Sequence, residues 1–550
     1  MAEQRRVTGR LVHHFFRRFF DNDTIQVDGD TLTTVVRTVS IVTVPGLMSS
    51  FFLQSEYPGR PAWGAIADQY FFVLFSFVVM GAISIFEWDM LFPDRIDFLV
   101  LSPLPLTSTQ MLAAKAMALT GFLSIFIVSS NLFGTILLPA VSRGDFFRQC
   151  YAQAVAVLLA GIFAAFFFLA LGGTLLCLLD AARFRLASPL LQMFSVTLLS
   201  LLMLHYAKLG DSMQVLLKEP LGMSRWIPPL WFLGVYQHLL HGEAAPAFAQ
   251  DLARYAYRGI AMTAGVVLVT YPLAWVRMRR MAIEGSSRAK RQSWRWWNRI
   301  LHSMLRRPGE RAVFHFIGQT MARNNHYQVY LAVYCGSGLA FAIACATKVT
   351  PSDGHIHYTL SSRGLHAVMP LLLFWVIAGL RAAFAFPLNL SAGWVFRITG
   401  VRTSDCVAAA RKWTFWCSLS VTCGILSALR VANWNARLIA VQAVVGACLC
   451  ILLTDGFFAF QHSVPFNRPR MPGRTSLPLM LTLYVGVLPP AIVGVIFFEM
   501  TIERHPVKLL LAVLPTALLH MTFRALHNVP EELEEEMEGY EGEFQLLGLS

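Results

Sequence analysis

Ionisable side chains that interrupt long apolar stretches are the residues of this sequence most able to do chemistry. They are Arg37, Glu87, Asp89, Asp180, His205, Arg381, Asp455, Glu499, His520 and Arg524. A charge is costly inside a lipid bilayer, so such residues usually have partners or a role. Arg381 and Asp455 each lie near one end of an apolar stretch, and we expect them to form a structural ion pair. A role in holding substrate or a proton is the alternative.

The motifs of soluble catalysis are absent from the sequence. It contains no G-x-x-x-x-G-K-[ST] phosphate loop, so the chain does not hydrolyse ATP by that mechanism. It also lacks G-x-S-x-G, H-E-x-x-H and a glycine-rich dinucleotide motif. The nine cysteines form no metal or disulfide framework. We therefore expect no catalytic residue, no metal site and no cofactor within this chain.

The composition indicates a membrane protein. Apolar residues make up 56% of the chain and charged residues 14%, and the mean hydropathy is +0.54. Soluble domains carry about 25% charged residues. We predict an all-α, polytopic membrane helical bundle of about twelve transmembrane helices, since each crossing takes roughly 20 apolar residues. The predicted spans are 35–53, 70–88, 117–139, 153–179, 189–207, 259–276, 329–347, 367–386, 413–430, 438–460, 478–499 and 507–526.

The distribution of charge predicts the orientation. The net charge is +13, and most of the 45 Lys and Arg residues fall on the cytoplasmic side if the N-terminus lies there. We expect both termini in the cytoplasm, a multi-pass location in the plasma or inner membrane of a bacterial cell, and contact with anionic lipids rather than nucleic acid. The domains are then a cytoplasmic leader with an interfacial helix (1–34), a first six-span half (35–276), a basic connector (277–328), a second six-span half (329–526) and an acidic tail (527–550).

Two features indicate that the halves are an internal repeat. Amphipathic stretches at 11–20 and 294–307 precede the first span of each half and suit a membrane surface. The segment 107–115 also aligns without gaps with 403–411, and each lies between the second and third spans of its half. In each copy we expect Thr or Ser to cap a short helix that ends in a cation, Lys115 or Arg411.

The aligned segments belong to stretches of mixed apolar and charged sequence that are too polar to span. The first contains LFPDR at 91–95 and LSPLPLT at 101–107, and the second contains WVFR at 394–397. We expect short helices parallel to the membrane that expose side chains to a cytosolic partner. A loop that covers its own bundle is the alternative.

The pattern LFPDR…LSPLPLT…AAK after the second span resembles the permease subunits of type 2 ATP-binding-cassette (ABC) exporters, as does PPLWF at 228–232. In that family the segment after the second helix docks on the ATPase, and six-span permeases work in pairs. A twelve-span chain is therefore similar to a fused pair. The family also has an extracellular excursion between spans five and six, which would be 208–258 in the first half and only 500–506 in the second.

This resemblance implies a transport subunit rather than an enzyme. It implies two copies of a separate cytosolic ATPase that bind and hydrolyse ATP, and an amphipathic lipid or peptide as the exported substrate. The residues implied in ATPase coupling are Glu87, Asp94, Arg95, Asp97, Pro103, Pro105 and Lys115 in the first half, and Trp394, Arg397, Arg402, Asp405 and Arg411 in the second.

Three other functions stay open from the sequence. A twelve-span secondary transporter of the major-facilitator type shares the cytoplasmic ends and the long central connector, although the stretch after span two lacks the short glycine-and-arginine turn of that family. A membrane-embedded enzyme acting on lipids would need a convergent cluster of acid, base or metal-binding residues. A non-transporting scaffold would tolerate outer segments of unequal length.

Overall fold

The computed structural model describes most of the chain. The described residues are 2–20, 31–54, 57, 59–88, 101, 103–218, 223–284, 305, 307–352, 355–385, 401–459, 465–466, 477–504 and 509–526. Five of the predicted coupling residues lie outside these ranges, namely Asp94, Arg95, Asp97, Trp394 and Arg397.

Helices make up nearly all of the described chain, as expected where lipid offers the backbone no hydrogen-bond partners. Two short 3-10 turns, Met223–Trp226 and Gly242–Ala244, flank α9. In chain order the helices are α1 (Ala2–Phe20), α2 (Thr31–Gln54), α3 (Ala62–Phe86), α4 (Ser108–Val141), α5 (Phe146–Leu178), α6 (Ala181–Leu204), α7 (Tyr206–Asp211), α8 (Met213–Lys218), α9 (Pro228–His241), α10 (Ala247–Glu284), α11 (Pro308–Arg323), α12 (Asn325–Ala346), α13 (Ser362–Ala385), α14 (Thr403–Val431), α15 (Ala436–Phe458), α16 (Leu477–Arg504) and α17 (Leu510–Leu526).

Each of the predicted spans overlaps one of these helices, which agrees with a polytopic membrane protein. Two apolar stretches, Val42–Leu53 in α2 and Gly486–Ile502 in α16, are shorter than a full crossing, and the number twelve stays a prediction. Within the described ranges, nine helices are long and apolar enough to cross a membrane: Ala62–Phe86, Ser108–Val141, Phe146–Leu178, Arg183–Leu204, Ala247–Arg280, Tyr327–Ala346, Ser362–Ala385, Ser404–Val431 and Ala436–Phe458.

The chain divides into two compact units. The first contains residues 1–293, 335–364 and 471–477, and the second contains residues 294–334, 365–470 and 478–550. The first unit therefore includes residues 335–364, which we predicted to belong to the second half.

That stretch carries an antiparallel hairpin, which the sequence did not predict. Strand β1 (Thr347–Ser352) pairs with β2 (His355–Leu360), with Thr347 opposite Leu360. Lys208 Nζ donates to the carbonyl oxygens of Ala344 and Thr347 at 2.7 and 2.9 Å. Because the last carbonyls of a helix lack partners within it, this cation stabilises the end of α12 where the hairpin begins.

The described part of the predicted excursion 208–258 is mostly helical and packs inside the first unit. Helix α9 packs against α3, α5 and α10, and its Leu230, Phe232 and Val235 are fully buried. Gly234 permits this close approach, because a Cβ atom there would lie 2.5 Å from Cβ of Leu252 and 2.9 Å from a backbone oxygen of α10.

The predicted short helices that end at Lys115 and Arg411 are wrong. Thr107 does cap a helix start: its Oγ1 accepts from the Gln110 backbone N–H at 3.3 Å, and its own N–H donates to Gln110 Oε1 at 3.0 Å. The helix then continues to Val141 because apolar, helix-favouring residues follow without a break. In the second copy the cap is Arg402, with no side-chain cap bond, and the helix continues through Arg411. Both cations are therefore interior to long helices and bind other partners.

Candidate functional site

The amphipathic helix α1 lies along the first turns of α4, the helix that follows the first aligned segment. Leu11, Phe15 and Phe19 recur every four residues and are at most 8% exposed, so one face of α1 is buried against its neighbour. The Phe19 ring stacks on Phe122 of α4 with centroids 4.9 Å apart. We call this contact between α1 and α4 the first junction.

Lys115 lies inside the first junction. Its side chain belongs to α4 and is only 3% exposed. Nζ lies 5.6 Å from the centroid of the Phe15 ring, within the range of a cation–π interaction. The sequence predicted that Lys115 would serve the negative end of a helix, whereas its charge instead meets the aromatic face of α1.

Further charged residues tie other helix ends to the first junction. Arg277 near the end of α10 donates to the carbonyls of Cys177 and Leu179, at the end of α5, the second at 2.7 Å. Arg279 donates to Ser108 Oγ, at the start of α4, at 2.9 Å. These bonds satisfy carbonyls that α5 cannot satisfy internally and join three helices at one end of the unit.

The second unit repeats the arrangement with α11 and α14, and we call their contact the second junction. Phe314 of α11 meets Trp413 of α14 edge to face, with ring centroids 4.9 Å apart. Two ion pairs accompany the rings. Arg307 Nη1 lies 3.0 Å from Asp405 Oδ1, and Lys412 Nζ lies 2.5 Å from Oε1 of Glu310.

Asp455 of α15 contacts α14 through Arg411, a residue outside the second junction. It is 4% exposed and accepts from Arg411 Nη2 through Oδ1, while His520 Nδ1 of α17 lies 2.6 Å from Oδ2. Arg381 Nε donates to the carbonyl of Phe457, on the same helix as Asp455, at 3.1 Å. The predicted pairing of Arg381 with Asp455 stays a prediction, and Arg411 is a partner of Asp455 that the sequence did not indicate.

The remaining predicted coupling residues that the structure describes belong to neither junction. Glu87 closes the C-terminus of α3 and is 6% exposed. Pro103 and Pro105 lie exposed in the turn before α4, where the N–H of Leu104 donates to the carbonyl of Leu101 at 3.2 Å. Arg402 is an exposed N-cap. Of the coupling residues that the structure describes, Lys115 lies in the first junction and Asp405 in the second, whereas Arg411 faces α15 and binds Asp455.

Sequence reasoning missed one buried polar cluster in the second unit. His366 of α13, Gln442 of α15 and Glu499 of α16 are each at most 5% exposed. His366 Nδ1 lies 2.9 Å from Glu499 Oε2, and Gln442 Nε2 lies 2.6 Å from the same oxygen. Glu499 stood out as an acid in an apolar stretch, but its partners lie 133 and 57 residues away and carry no local signal.

Comparison with known proteins gives no relative. No protein-family model matches the chain, and no curated protein or solved structure is significantly similar to it.

Proposed function

We propose that this chain is the membrane-spanning permease subunit of an ABC-type exporter. It would move an amphipathic lipid or peptide, using ATP hydrolysed by two copies of a separate cytosolic ATPase. The observation that supports this proposal best is the pair of junctions. In each half, a helix is fixed to the first turns of the helix that follows the proposed docking segment.

A permease driven from outside needs a stiff connection between the docking segment and the bundle. The turn at 103–107 leads directly into α4, whose first turns carry Lys115 and α1. A displacement of the turn would therefore move a 34-residue helix together with α1. Rigid-body motion of packed helices is the ordinary way in which a small displacement is transmitted.

The second junction would also give a stiff connection, through ion pairs rather than a cation–π contact. Arg307–Asp405 and Lys412–Glu310 join α11 to α14, and Arg411–Asp455 joins α14 to α15. Glu310 and Asp455 are at most 5% exposed, and a buried ion pair is costly to break by removing one partner. The start of α14 would therefore move with both neighbours.

The proposal is tested by purifying the tagged chain from its native membrane in a gentle detergent and identifying the proteins that come with it. We expect an ATPase with a phosphate loop, and its loss in the triple variant Asp94→Ala/Arg95→Ala/Asp97→Ala. The matched control is Asp251→Ala/Arg254→Ala, which removes an exposed ion pair on α10 and should leave the complex intact. A chain that elutes without an ATPase would contradict the proposal.

A secondary transporter is the second candidate. The buried His366, Gln442 and Glu499 favour it, because ionisable groups held inside a membrane bundle are typical of ion-coupled transport. Transport that depends on an ion gradient and persists without any ATPase would support this candidate over the first. A non-transporting scaffold would show neither dependence.

A further inference from the structure

One face of α14 in the second unit is a row of polar side chains. Arg411, Thr414, Ser418 and Thr422 follow one another at intervals of three or four residues, which places them on one side of the helix. The last three are at most 2% exposed. In this helix, which is otherwise apolar enough to cross a membrane, Ser418 and Thr422 donate to the backbone carbonyls of Phe415 and Ser418. The hydroxyl of Thr414 has no partner among the described residues.

Helix α15 lies against this row with polar residues of its own. Thr422 Oγ1 lies 3.3 Å from the thiol of Cys450. Gly446 gives Thr422 its space, because a Cβ at that position would lie 2.8 Å from Thr422 Cγ2. One turn further along α15 follow Thr454 and Asp455, and Asp455 binds Arg411. We call this contact between the polar faces of α14 and α15 the polar seam.

The seam has an ionisable cluster at each end. Gln442 begins it beside His366 and Glu499, and Asp455 ends it beside His520. The two α15 residues are separated by about 20 Å at the 1.5 Å rise of a helix. His520 is 40% exposed in its side chain, so that end of the seam reaches the surface.

Several buried polar atoms along the seam have no hydrogen-bond partner among the described residues. They are Oε1 of Glu499 and the hydroxyl oxygens of Thr414 and Thr454. An unsatisfied buried polar atom is destabilising, so each such atom in a native structure needs an explanation. Hydroxyls and a carboxyl oxygen can each donate or accept, which is what a chain of proton transfers uses.

We propose that the polar seam is a proton pathway through the second bundle. A proton enters at the cluster of His366, Gln442 and Glu499 and passes along the hydroxyls of Thr422, Thr414 and Thr454 and the water molecules between them. It leaves through Asp455 and His520. This inference goes beyond the proposed function and does not depend on an ATPase.

Each proton that enters the pathway at one end is matched by one proton released at the other end. The hydrogen bond between His366 Nδ1 and Glu499 Oε2 holds one proton, which belongs to either the imidazole or the carboxyl group. An arriving proton binds at Oε1 of Glu499, which has no partner among the described residues. For each proton received there, Asp455 and His520 release one at the other end, so no bond other than O–H and N–H changes.

The charges around the two clusters favour a proton over a metal cation. Around Glu499 the titratable side chain in contact is His366 from α13, and Cys448 of α15 lies in the neighbouring apolar cluster with Phe498. Around Asp455 the charged and titratable neighbours are Arg411 of α14 and His520 of α17, with Arg381 of α13 bound to the backbone nearby. A hard metal cation takes about six or more oxygen ligands. Each cluster instead combines one carboxylate with an imidazole, a group that exchanges protons near neutral pH.

The test is proton flux into vesicles that contain the purified full-length chain alone. The lumen holds a pH-sensitive dye, and a potassium gradient with valinomycin supplies the driving force. We expect acidification above that of protein-free vesicles, unchanged when choline replaces sodium, and reduced to the protein-free rate by Glu499→Gln. Asp68→Asn, which removes a buried carboxylate of the first unit, is the matched control and should keep the flux.

Flux that equals the protein-free rate, or that survives in a folded Glu499→Gln variant, would overturn the proposal. Thr414→Val/Thr454→Val removes the two hydroxyls without adding charge, so it gives the same test if the Glu499 variant does not fold. The infrared difference spectrum of the unmodified chain between acid and neutral pH gives an independent measurement. It should contain a buried carboxylic-acid carbonyl band that Glu499→Gln lacks, and the same band in both proteins contradicts a proton held at Glu499. Because no ATPase is present, these results are independent of the copurification experiment.

Discussion

Arg411 of α14 donates through Nη2 to Oδ1 of Asp455 on α15, and this ion pair is 20% exposed on the arginine side and 4% on the aspartate side. It fixes the first turns of α14 against the last turn of α15. In the aligned segment of the first half the same position is Lys115, which meets a phenylalanine ring instead. Both aligned positions thus carry a cation, but the two cations have different partners.

Removing one side of this ion pair should destabilise the second unit strongly. Asp455→Leu leaves the half-buried Arg411 without its carboxylate, and breaking a buried ion pair by removing one partner costs about 3–5 kcal/mol. We expect a lower melting temperature and a lower yield of monodisperse protein. The double variant Asp455→Leu/Arg411→Leu should recover much of the loss, because apolar groups then replace both charges.

The same assay tests the predicted pairing of Arg381 with Asp455. If the two interact, Arg381→Leu should lower the yield, and the combined loss in Arg381→Leu/Asp455→Leu should be smaller than the sum of the two single losses. Losses that simply add would contradict the pair. The exposed pair Arg254–Asp251 is the control, since exposed ion pairs contribute only about 0–1 kcal/mol.

Docking of α1 should depend on Phe15. This ring is 2% exposed and lies beneath Lys115 Nζ, and truncating a buried phenylalanine costs about 3–5 kcal/mol. We expect Phe15→Ala to make α1 cleavable by trypsin at Arg17 and Arg18. Val7→Ala, at an exposed position of the same helix, should leave the cleavage rate unchanged, and equal rates in both variants would refute the docking role.

A methyl group at Gly234 should force α9 away from α10. The nearest atoms would be Cβ of Leu252 at 2.5 Å and backbone atoms of α10 at 2.9 Å, and backbone cannot yield as a flexible side chain does. Overpacking of this kind costs about 1–3 kcal/mol. Thermal unfolding of Gly234→Ala should therefore begin at a lower temperature.

Gly265→Ala is the matched control for Gly234→Ala. It lies in α10, has no neighbour within 4 Å of the added atom, and should gain up to about 1 kcal/mol from helix propensity. Equal melting temperatures for the two variants would show that the close approach of α9 and α10 has no energetic consequence.

Alkaline pH should weaken the contact between Tyr57 and Asp68. Burial raises the pKa of the Tyr57 hydroxyl, and the charge of Asp68 and their 3.1 Å hydrogen bond raise this pKa further. A raised pKa in the folded state stabilises the protein below the ordinary tyrosine pKa of about 10, and this contribution is lost as pH rises above it.

Tyr57→Phe lacks this titration. Its melting temperature should be lower than that of the unmodified chain at neutral pH, because the hydrogen bond to Asp68 is missing. It should fall less steeply above pH 10, which a melting series in alkaline buffers would measure. Parallel curves for the two proteins would contradict the assignment.

Local patterns in the sequence predicted the helices well. The four-residue recurrence of Leu11, Phe15 and Phe19 predicted an amphipathic helix lying on the membrane surface. The helix forms, but this apolar face is buried on α4. The Thr-Ser pair predicted a helix start, and Thr107 caps α4 there together with Gln110. The predicted helix end at Lys115 was wrong because the prediction relied on one cation. The apolar, helix-favouring residues that follow Lys115 continue the helix to Val141.

The tertiary partners of the buried charges could not be predicted. Asp455 finds Arg411 across 44 residues, and His366 finds Glu499 across 133. Such pairings depend on which helices pack against each other. The periodicity of a single sequence does not reveal which helices are neighbours. The hairpin at Thr347–Leu360 was not predicted because it directly follows an apolar helix. The apolar pattern of that helix runs up to Thr347, the first residue of the hairpin.

The most direct test of the permease proposal is the mass of the complex released intact from native membranes, measured by native mass spectrometry. The proposal predicts one chain of 61.5 kDa together with two copies of one ATPase. A species that contains this chain without an ATPase, under conditions in which other ATPase-driven transporters stay assembled, would contradict it.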